Sequence, residues 1–476
     1  MSDYTVISPY SGEPILTRSY ADRATITDVV KRAEAGHRSW RAQPLSHRLA
    51  VARRFLDEVV ARRDALATSI TQQMGRPSRY TQGEVNGLLE RTRYLISIAE
   101  TSLAPHPVPQ TPSAGAATPG FTRYITKEPL GVVLVIAPWN FPYLVAINAV
   151  LPALLAGNSV VLKHSPQTPL CGELLVECFN AAGVPTEVCQ ACPMNHTDCD
   201  WAIETLPIHF VCFTGSVPAG RLVAASAAKQ MLGTGLELGG KDPAYVRADA
   251  DVAYAVEQLV DGACFNSGQS CCSIERIYVH TDVYQTFVDQ FAKVVGEYRL
   301  GDPRDPATTL GPVVHKAAAE RIRAQVAAAV AAGAQPLIDE APFRAQLSAL
   351  AAGSAKTAAA FVIPQVLVNV THAMAIMQEE TFGPVVGIMP VDSDATAIQL
   401  MNDSRFGLTA SVWTQDLDAA VRIGQQVETG TWFMNRCDYL DPALAWTATK
   451  ESGRGCTLSA FGFDQFTRLK SYHLKH

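Results

Sequence analysis

Two short segments of this sequence carry side chains suited to covalent and proton-transfer chemistry. Cys271 lies in Phe265-Asn266-Ser267-Gly268-Gln269-Ser270-Cys271-Cys272-Ser273, where a helical pattern gives way to a strand. Glycine and small polar neighbours leave the backbone around the thiol open to an approaching carbonyl. A thiol reacts through its thiolate, and the competing reading is an inert structural cysteine. No histidine is near in sequence, His280 being the closest, so a Cys–His pair could arise only through the fold. Glu237 precedes Leu238-Gly239-Gly240-Lys241. A carboxylate beside two glycines suits a chain crossing, and burial there would raise its pKa towards that of a general base. A solvated loop glutamate is the other reading.

Two further patterns concern ligands. Phe213-Thr214-Gly215-Ser216-Val217-Pro218-Ala219-Gly220 leaves a strand and opens a helix, so its backbone N–H groups point at whatever sits there. It is not a Walker A loop, because Arg221-Leu222 stands where Lys-Ser/Thr is required. The GxGxxG fingerprint is also absent, since Gly233-Thr234-Gly235 is followed by Gly239, one residue too far. Cys189, Cys192, His196 and Cys199 look like metal ligands, but their spacing misses the zinc-finger and knuckle patterns. No metal is expected.

The chain has 476 residues, 48% hydrophobic and 18% charged, with a net charge of −6. That hydrophobicity excludes disorder, and the acidic balance argues against nucleic acid. Eleven cysteines, an odd number in so long a chain, point to reduced thiols in the cytoplasm. The N-terminus has no basic region followed by an apolar one, so no signal peptide is expected. The apolar run 132–157 is interrupted by Pro138, Asn140, Pro142, Asn148 and Pro152 and reads as a buried strand and helix rather than a membrane span.

The elements that must position these residues alternate. Strands are predicted at 132–137, 160–163, 188–191 and 209–213, with helices at 143–155 and 170–182 and a helix capped by Ser216. A second series has strands at 244–246, 276–280, 385–388, 409–413 and 431–433. Its helices are predicted near 252–264, 283–298 and 317–332, the last followed by a loose loop to 360. This rhythm predicts an α/β fold with two doubly wound parallel sheets covered on both faces. The first 115 residues read as helical, with helices at 47–63 and 83–101, and end at the prolines Pro105, Pro107, Pro109, Pro112 and Pro119. Segments 121–126 and 470–474 alternate like strands outside both series and suggest a small oligomerisation sheet.

Several motifs occur together and in register: Pro138-Trp139-Asn140-Phe141-Pro142, Val161-Leu162-Lys163, Phe213-Thr214-Gly215-Ser216, Glu237-Leu238-Gly239-Gly240-Lys241, Asn266-x-Gly268-Gln269-x-Cys271 and Glu379-Glu380-Thr381-Phe382-Gly383-Pro384-Val385. In this order the sequence resembles the aldehyde dehydrogenase superfamily over nearly its whole length. The resemblance implies a Rossmann-like cofactor domain (residues 1–115 and 130–238), a catalytic thiol domain (239–450) and a bridging element (116–129 and 451–476). It also implies oxidation of an aldehyde to a carboxylic acid with NAD(P)+ through a thiohemiacetal and a thioester. Cys271 would be the nucleophile, Asn140 and the Cys271 N–H the oxyanion donors, and Glu237 the base that activates water. Cys272 would have no direct role.

By the same resemblance the cofactor meets Ile136, Ala137, Pro138, Trp139, Leu238 and Gly239 on its nicotinamide half. Lys163, Ser165 and Pro166 fall at the adenosine ribose, Gly215 and Ser216 at the pyrophosphate, and Glu380 and Phe382 at the nicotinamide ribose and ring. Phe141, Val145, Asn148 and Phe265 would face the aldehyde, together with the 436–444 loop. A homodimer or homotetramer is implied.

Three departures qualify the resemblance. Pro166 stands where many NAD-preferring relatives have a ribose-binding glutamate, so NAD and NADP both fit, with NAD narrowly ahead. Glu187 replaces a usual glycine near the adenine side. Trp446-Thr447-Ala448 replaces the usual Phe-Gly-Gly at the substrate entrance. A CoA-acylating relative and a non-catalytic descendant are the rival readings. Glu237 argues against the first, and the presence of Cys271, Glu237 and Asn140 together argues against the second. Phe141 and Phe265 suggest an aliphatic or aromatic aldehyde. Arg436 is the residue that could meet a substrate carboxylate, its bland reading being a surface arginine.

Overall fold

Val132–Ala137 has no charged or polar side chain, and every residue of it is buried. Its side chains alternate between two cores. Val133, Val135 and Ala137 pack with the helices Leu45–Ala61, Ser78–Ser102 and Pro142–Ala156. Val132, Leu134 and Ile136 pack with Arg23–Arg41, His196–Thr205 and Val217–Ala228 on the opposite face. This strand lies inside a six-stranded sheet in the computed structural model, which describes residues 2–108, 121–352 and 358–476. The spatial order is Gly453–Arg454, Gly233–Glu237, Phe210–Thr214, Val132–Ala137, Ser159–His164 and Cys189–Ala191. All pairings in it are parallel except that of Gly453–Arg454 with Gly233–Glu237.

A second sheet of seven strands has Ile274–His280 near its centre, between Val385–Val391 and Asp242–Val246. Thr409–Trp413 and Thr431–Met434 continue it on one side, Gln365–Val368 and Gln335–Pro336 on the other. Ala244, Ile277 and Val279 face one core, while Tyr245 and Tyr278 face another. The two parallel sheets are therefore as expected. In the first, Ala137, Lys163, Thr214 and Glu237 all stand at carboxyl ends of strands, the edge at which open α/β sheets bind ligands.

The tail strand Thr467–Lys475 pairs antiparallel with Phe121–Pro129, and His106–Pro107 adds a third strand. Leu469 and Leu474 on it are exposed. Of the predicted proline break, Pro109, Pro112 and Pro119 lie outside the described residues.

Two expectations need correction, and two elements were not foreseen. The N-terminus begins with an antiparallel hairpin, Asp3–Ile7 and Pro14–Ser19, before its helices. The helix Arg23–Arg41, capped by Asp22, was not foreseen. Gly233 and Gly235 belong to a strand, Gly233–Glu237, that was not foreseen either. A Cβ at Gly233 would press on the Phe210 ring and one at Gly235 on the Gln465 side chain, so these glycines mark close packing. The expected loose loop contains the helix Ala341–Ala352, whose Ala341 N–H is held by Asp339 at 2.9 Å and whose Phe343 is buried.

Phe55 and Phe179 stack with centroids 3.9 Å apart and join two of the covering helices. Phe55→Ala should lower stability by about 3–5 kcal/mol, read as a fall in Tm by calorimetry. An unchanged Tm would show that this face collapses around the loss.

Candidate active site

Cys271 follows a turn that few sequences can make. Asn266, Ser267 and Gly268 take consecutive positive φ angles of 53°, 59° and 69°. Non-glycine residues adopt this conformation at a cost, so the surroundings must hold it. The Asn266 side chain donates to the carbonyls of Asn140 and Gln269, both at 3.1 Å, and accepts from Arg76 Nε at 2.9 Å. Ser267 Oγ donates to the Gly311 carbonyl. At Gly268 a Cβ would collide with the Gly383 carbonyl. The thiol that emerges is partly exposed, and no acceptor takes the Cys271 N–H among the described residues.

Arg76 is the centre of this arrangement. It is fully buried and pairs with Glu84, while its Nη2 donates to the Asn140 carbonyl. Its guanidinium also lies over the Phe141 ring at 4.5 Å. Glu84 uses its other oxygen to accept the N–H groups of Tyr143 and Leu144, at 2.9 and 3.3 Å. Those donors open the helix Pro142–Ala156, which has no cap of its own, and a carboxylate is favoured at such an N-terminus. The Asn140 side-chain amide donates to the Gln269 carbonyl at 3.2 Å, which uses one of its two hydrogens.

Glu237 ends its strand with both carboxylate oxygens held: Thr214 Oγ1 donates to one at 2.9 Å and Thr457 Oγ1 to the other at 2.6 Å. Burial pushes its pKa above the ordinary carboxylate range. Cys271 and Glu237 open onto one chamber of about 680 Å³. Phe141, Val145, Asn148 and Phe265 line it, together with Tyr439, Leu440 and Trp446. Arg436 does not; its guanidinium sits on the Tyr439 ring at 3.6 Å. Cys272 is buried beside Cys271 and donates to Asp438 at 2.9 Å, as Ser270 does at 3.1 Å. Burial pushes the Asp438 carboxyl up to about 7.

The residues that the resemblance assigns to a cofactor lie at the carboxyl ends of strands in the first sheet, at the helix opened by Ser216 and on the loop of Glu380. Lys163 is buried, and its ammonium donates to no acceptor among the described residues. Glu380 is pushed up to about 7, first by burial and then by Glu275, and accepts one bond, from Gly240 N–H at 3.2 Å. An under-used ammonium and carboxylate suit ribose hydroxyls. A Cβ at Gly239 would lie 2.5 Å from the Glu380 carboxylate, so only glycine leaves it room. The loop carrying Glu380 is pinned by Glu275, which accepts from the N–H groups of Thr381 and Phe382 and pairs with buried Lys241 at 2.5 Å. Phe382 meets Trp139 edge-to-face at 5.7 Å. Ile136, Ala137 and Pro138 lead into Trp139, while Gly215 and Ser216 open the helix Val217–Ala228, with Ser216 Oγ accepting from Ala219. Leu238 packs at Gly220 of that helix. Ser165 and Pro166 follow the strand that bears Lys163.

A family-wide sequence profile described as "Aldehyde dehydrogenase family" matches residues 1–472. The chain belongs to the aldehyde dehydrogenase family. It is 33% identical over 468 residues to the "Succinate-semialdehyde dehydrogenase [NADP(+)]" of Deinococcus radiodurans, covering 98% of this chain and 94% of that one. It is 31% identical over 467 residues to the "Succinate semialdehyde dehydrogenase [NAD(P)+] Sad" of Escherichia coli, covering 98% and 96%. Its fold superposes on the succinic semialdehyde dehydrogenase of Streptococcus pyogenes, solved with NADP+, with a TM-score of 0.91 at 29% identity, covering 99% of this chain and 100% of that one. This aldehyde dehydrogenase is an oxidoreductase of NAD(P)-dependent aldehyde oxidation. No helix among its described residues is long and apolar enough to cross a membrane.

Cys189, Cys192 and Cys199 are buried, with thiols pushed up to about 12, 12 and 11 by burial, and no metal-holding group of three ligands occurs among the described residues. Sequence reasoning missed Arg76, Glu84, Arg91, Thr214 and Thr457. The first three sit on or beside a helix that reads as an ordinary amphipathic surface element. Only the coincidence of charges on its apolar face, Glu84 and Arg91 among leucines, gives a signal. Glu84→Gln should leave the Arg76 charge unpaired and cost about 3–5 kcal/mol. The expected outcome is a lower Tm and a loss of turnover, with Cys271 still present for alkylation by iodoacetamide; wild-type Tm would show the pair to be dispensable.

Proposed function

We propose that this aldehyde dehydrogenase uses Cys271 as nucleophile, Asn140 and the Cys271 N–H as oxyanion donors and Glu237 as the base for hydrolysis. The observation that carries the reading is that a partly exposed thiol and a half-buried carboxylate open onto one chamber, beside two N–H donors with hydrogens to spare. The Cys271 thiolate attacks the aldehyde carbon, forming a C–S bond and moving the carbonyl electron pair onto oxygen. The Asn140 amide and the Cys271 N–H receive that oxyanion. Bound NAD(P)+ supplies the hydride acceptor, and its ribose and nicotinamide would lie against Lys163, Glu380, Phe382 and Trp139. As the oxyanion re-forms the carbonyl, the C–H bond breaks with its electron pair leaving as hydride, and a thioester is left on Cys271. Glu237 then takes a proton from water as the water oxygen attacks the thioester; the C–S bond breaks, and the carboxylic acid leaves with the thiolate restored.

The six-stranded sheet would carry the cofactor and the seven-stranded sheet the thiol, with the tail strand Thr467–Lys475 serving assembly into a homodimer or homotetramer. Exposed Leu469 and Leu474 support that reading. All eleven cysteines are free, which suits a reducing cytoplasm. Pro166 presents no carboxylate to repel a 2′-phosphate, and relatives are named for NADP(+) and NAD(P)+. Both cofactors are taken as substrates, and the expected lead of NAD is not carried forward.

Absorbance of reduced nicotinamide with an aldehyde panel, with and without CoA, tests the reaction. Turnover should need no CoA and should vanish in Cys271→Ala while Cys272→Ala keeps it; activity in both variants would overturn the assignment. Glu237→Gln should still release one equivalent of reduced cofactor per site but lose steady-state turnover by about 10²–10⁴-fold. A base works deprotonated, so with its pKa raised by burial the wild-type hydrolysis rate should fall as pH drops through a value above the usual carboxylate range. That acidic limb should be missing in single-turnover hydrolysis by Glu237→Gln.

A further inference from the structure

Arg91 is the buried residue of the chamber whose charge the mechanism does not use. It is 7% exposed, lies on the helix Ser78–Ser102 and lines the chamber together with Cys271 and Glu237. The other buried arginine of the wall, Arg76, has Glu84 as its counter-ion. No carboxylate lies within ion-pairing distance of Arg91 among the described residues. Its Nη1 donates to two neutral oxygens, the Leu144 carbonyl at 2.9 Å and Asn148 Oδ1 at 3.1 Å. Its Nη2 and Nε have no acceptor among the described residues, and neither atom is sealed from the chamber.

Asn148 extends the pattern. A guanidinium has donors only, so Asn148 must turn its oxygen towards Arg91, which directs its NH2 the other way. That NH2 also lacks an acceptor among the described residues. Two nitrogens of a planar guanidinium and an adjacent amide NH2 form a donor set with the shape of a carboxylate. The carboxylates elsewhere in the wall are less able to fill it. Glu84 is engaged by Arg76, Glu237 is held by Thr214 and Thr457, Glu90 is exposed and accepts from Tyr439 at 3.2 Å, Asp438 is bonded by Ser270 and Cys272, and Asp261, the other carboxylate of the wall, makes no ion pair with Arg91 among the described residues. Asn148 lies on the order of 9 Å along its helix from the loop of Asn140, at 1.5 Å per residue. That separates the donor set from the oxyanion donors by roughly the length of a short chain or one ring.

We propose that Arg91 and Asn148 anchor a carboxylate at the far end of the aldehyde substrate, so that the preferred substrates are formyl carboxylic acids. This rests on the aldehyde-oxidising reading of the same chamber. Arg436, the arginine that the sequence offered for this role, lies outside it.

The test compares matched pairs: succinic semialdehyde against butanal, and 4-carboxybenzaldehyde against benzaldehyde. The wild type should favour the carboxylated member of at least one pair, and which pair distinguishes an aliphatic from an aromatic spacer. Arg91→Met should lower kcat/KM for that member about 100-fold, mainly through KM, and leave its neutral partner nearly unchanged; Arg91→Lys should restore part of the loss. Equal losses for both members would overturn the anchor and assign Arg91 to setting the charge of Glu237 instead. A second measurement needs no variant: succinate should inhibit the wild type more tightly than butyrate, or terephthalate more tightly than benzoate, and equal inhibition in both pairs would overturn the proposal. Turnover of aldehydes without any preference removes the anchor alone. No turnover of any aldehyde removes the anchor and the reaction together.

Discussion

Arg76 buries a guanidinium in the wall of the chamber, and the geometry of the proposed active site hangs on it. One guanidinium meets the carboxylate of Glu84, the backbone oxygen of Asn140 and the side-chain oxygen of Asn266. Each contact fixes a different segment: the chamber helix, the loop of the oxyanion donor and the strained turn before the thiol. Glu84 passes the constraint on by capping the helix Pro142–Ala156, whose side chains Val145 and Asn148 shape the substrate wall. A buried ion pair is a poor source of net stability, because desolvation consumes most of the attraction. Its value here is geometric, since five donors in a rigid plane hold three chain segments in one register.

The cofactor side repeats the device. Lys241 and Glu275 form a second buried pair, and Glu275 gathers the N–H groups of Thr381 and Phe382. That places Glu380 above Gly239, where any side chain would collide with it. Each side of the thiol thus has a carboxylate that is not itself a reactant but collects backbone donors, with a cation beneath it. The proposed base is held differently. Glu237 is bound by two hydroxyls, which orient it without supplying a counter-charge and leave it able to take a proton.

Much of this was legible in the sequence because both sheets are buried on two faces. Such strands read as continuous apolar runs, and the predicted strands 132–137 and 409–413 coincide with the observed ones. The motif glycines were legible for a related reason, since Gly239 and Gly268 sit where a Cβ has no space. What escaped was whatever depends on tertiary neighbours. The strand Gly233–Glu237 was not foreseen, because its glycines answer to Phe210 and Gln465, far off in the chain. Arg76, Glu84 and Arg91 look like surface charges until the helix beside them is buried. Thr457 lies more than two hundred residues from the glutamate it bonds, and no local pattern marks it.

The strand Gly453–Arg454 closes the first sheet from the far end of the chain, against Gly233–Glu237. During synthesis every other strand of that sheet has emerged before the whole second sheet is made. Until the last strand arrives, Gly233–Glu237 has an open edge, and Glu237 lacks the hydroxyl of Thr457. An unpaired edge is a template for pairing with other chains, and slow non-local closure prolongs its exposure. The segment that completes the environment of the base is therefore also the one that ends the nascent protein's period of greatest vulnerability to aggregation.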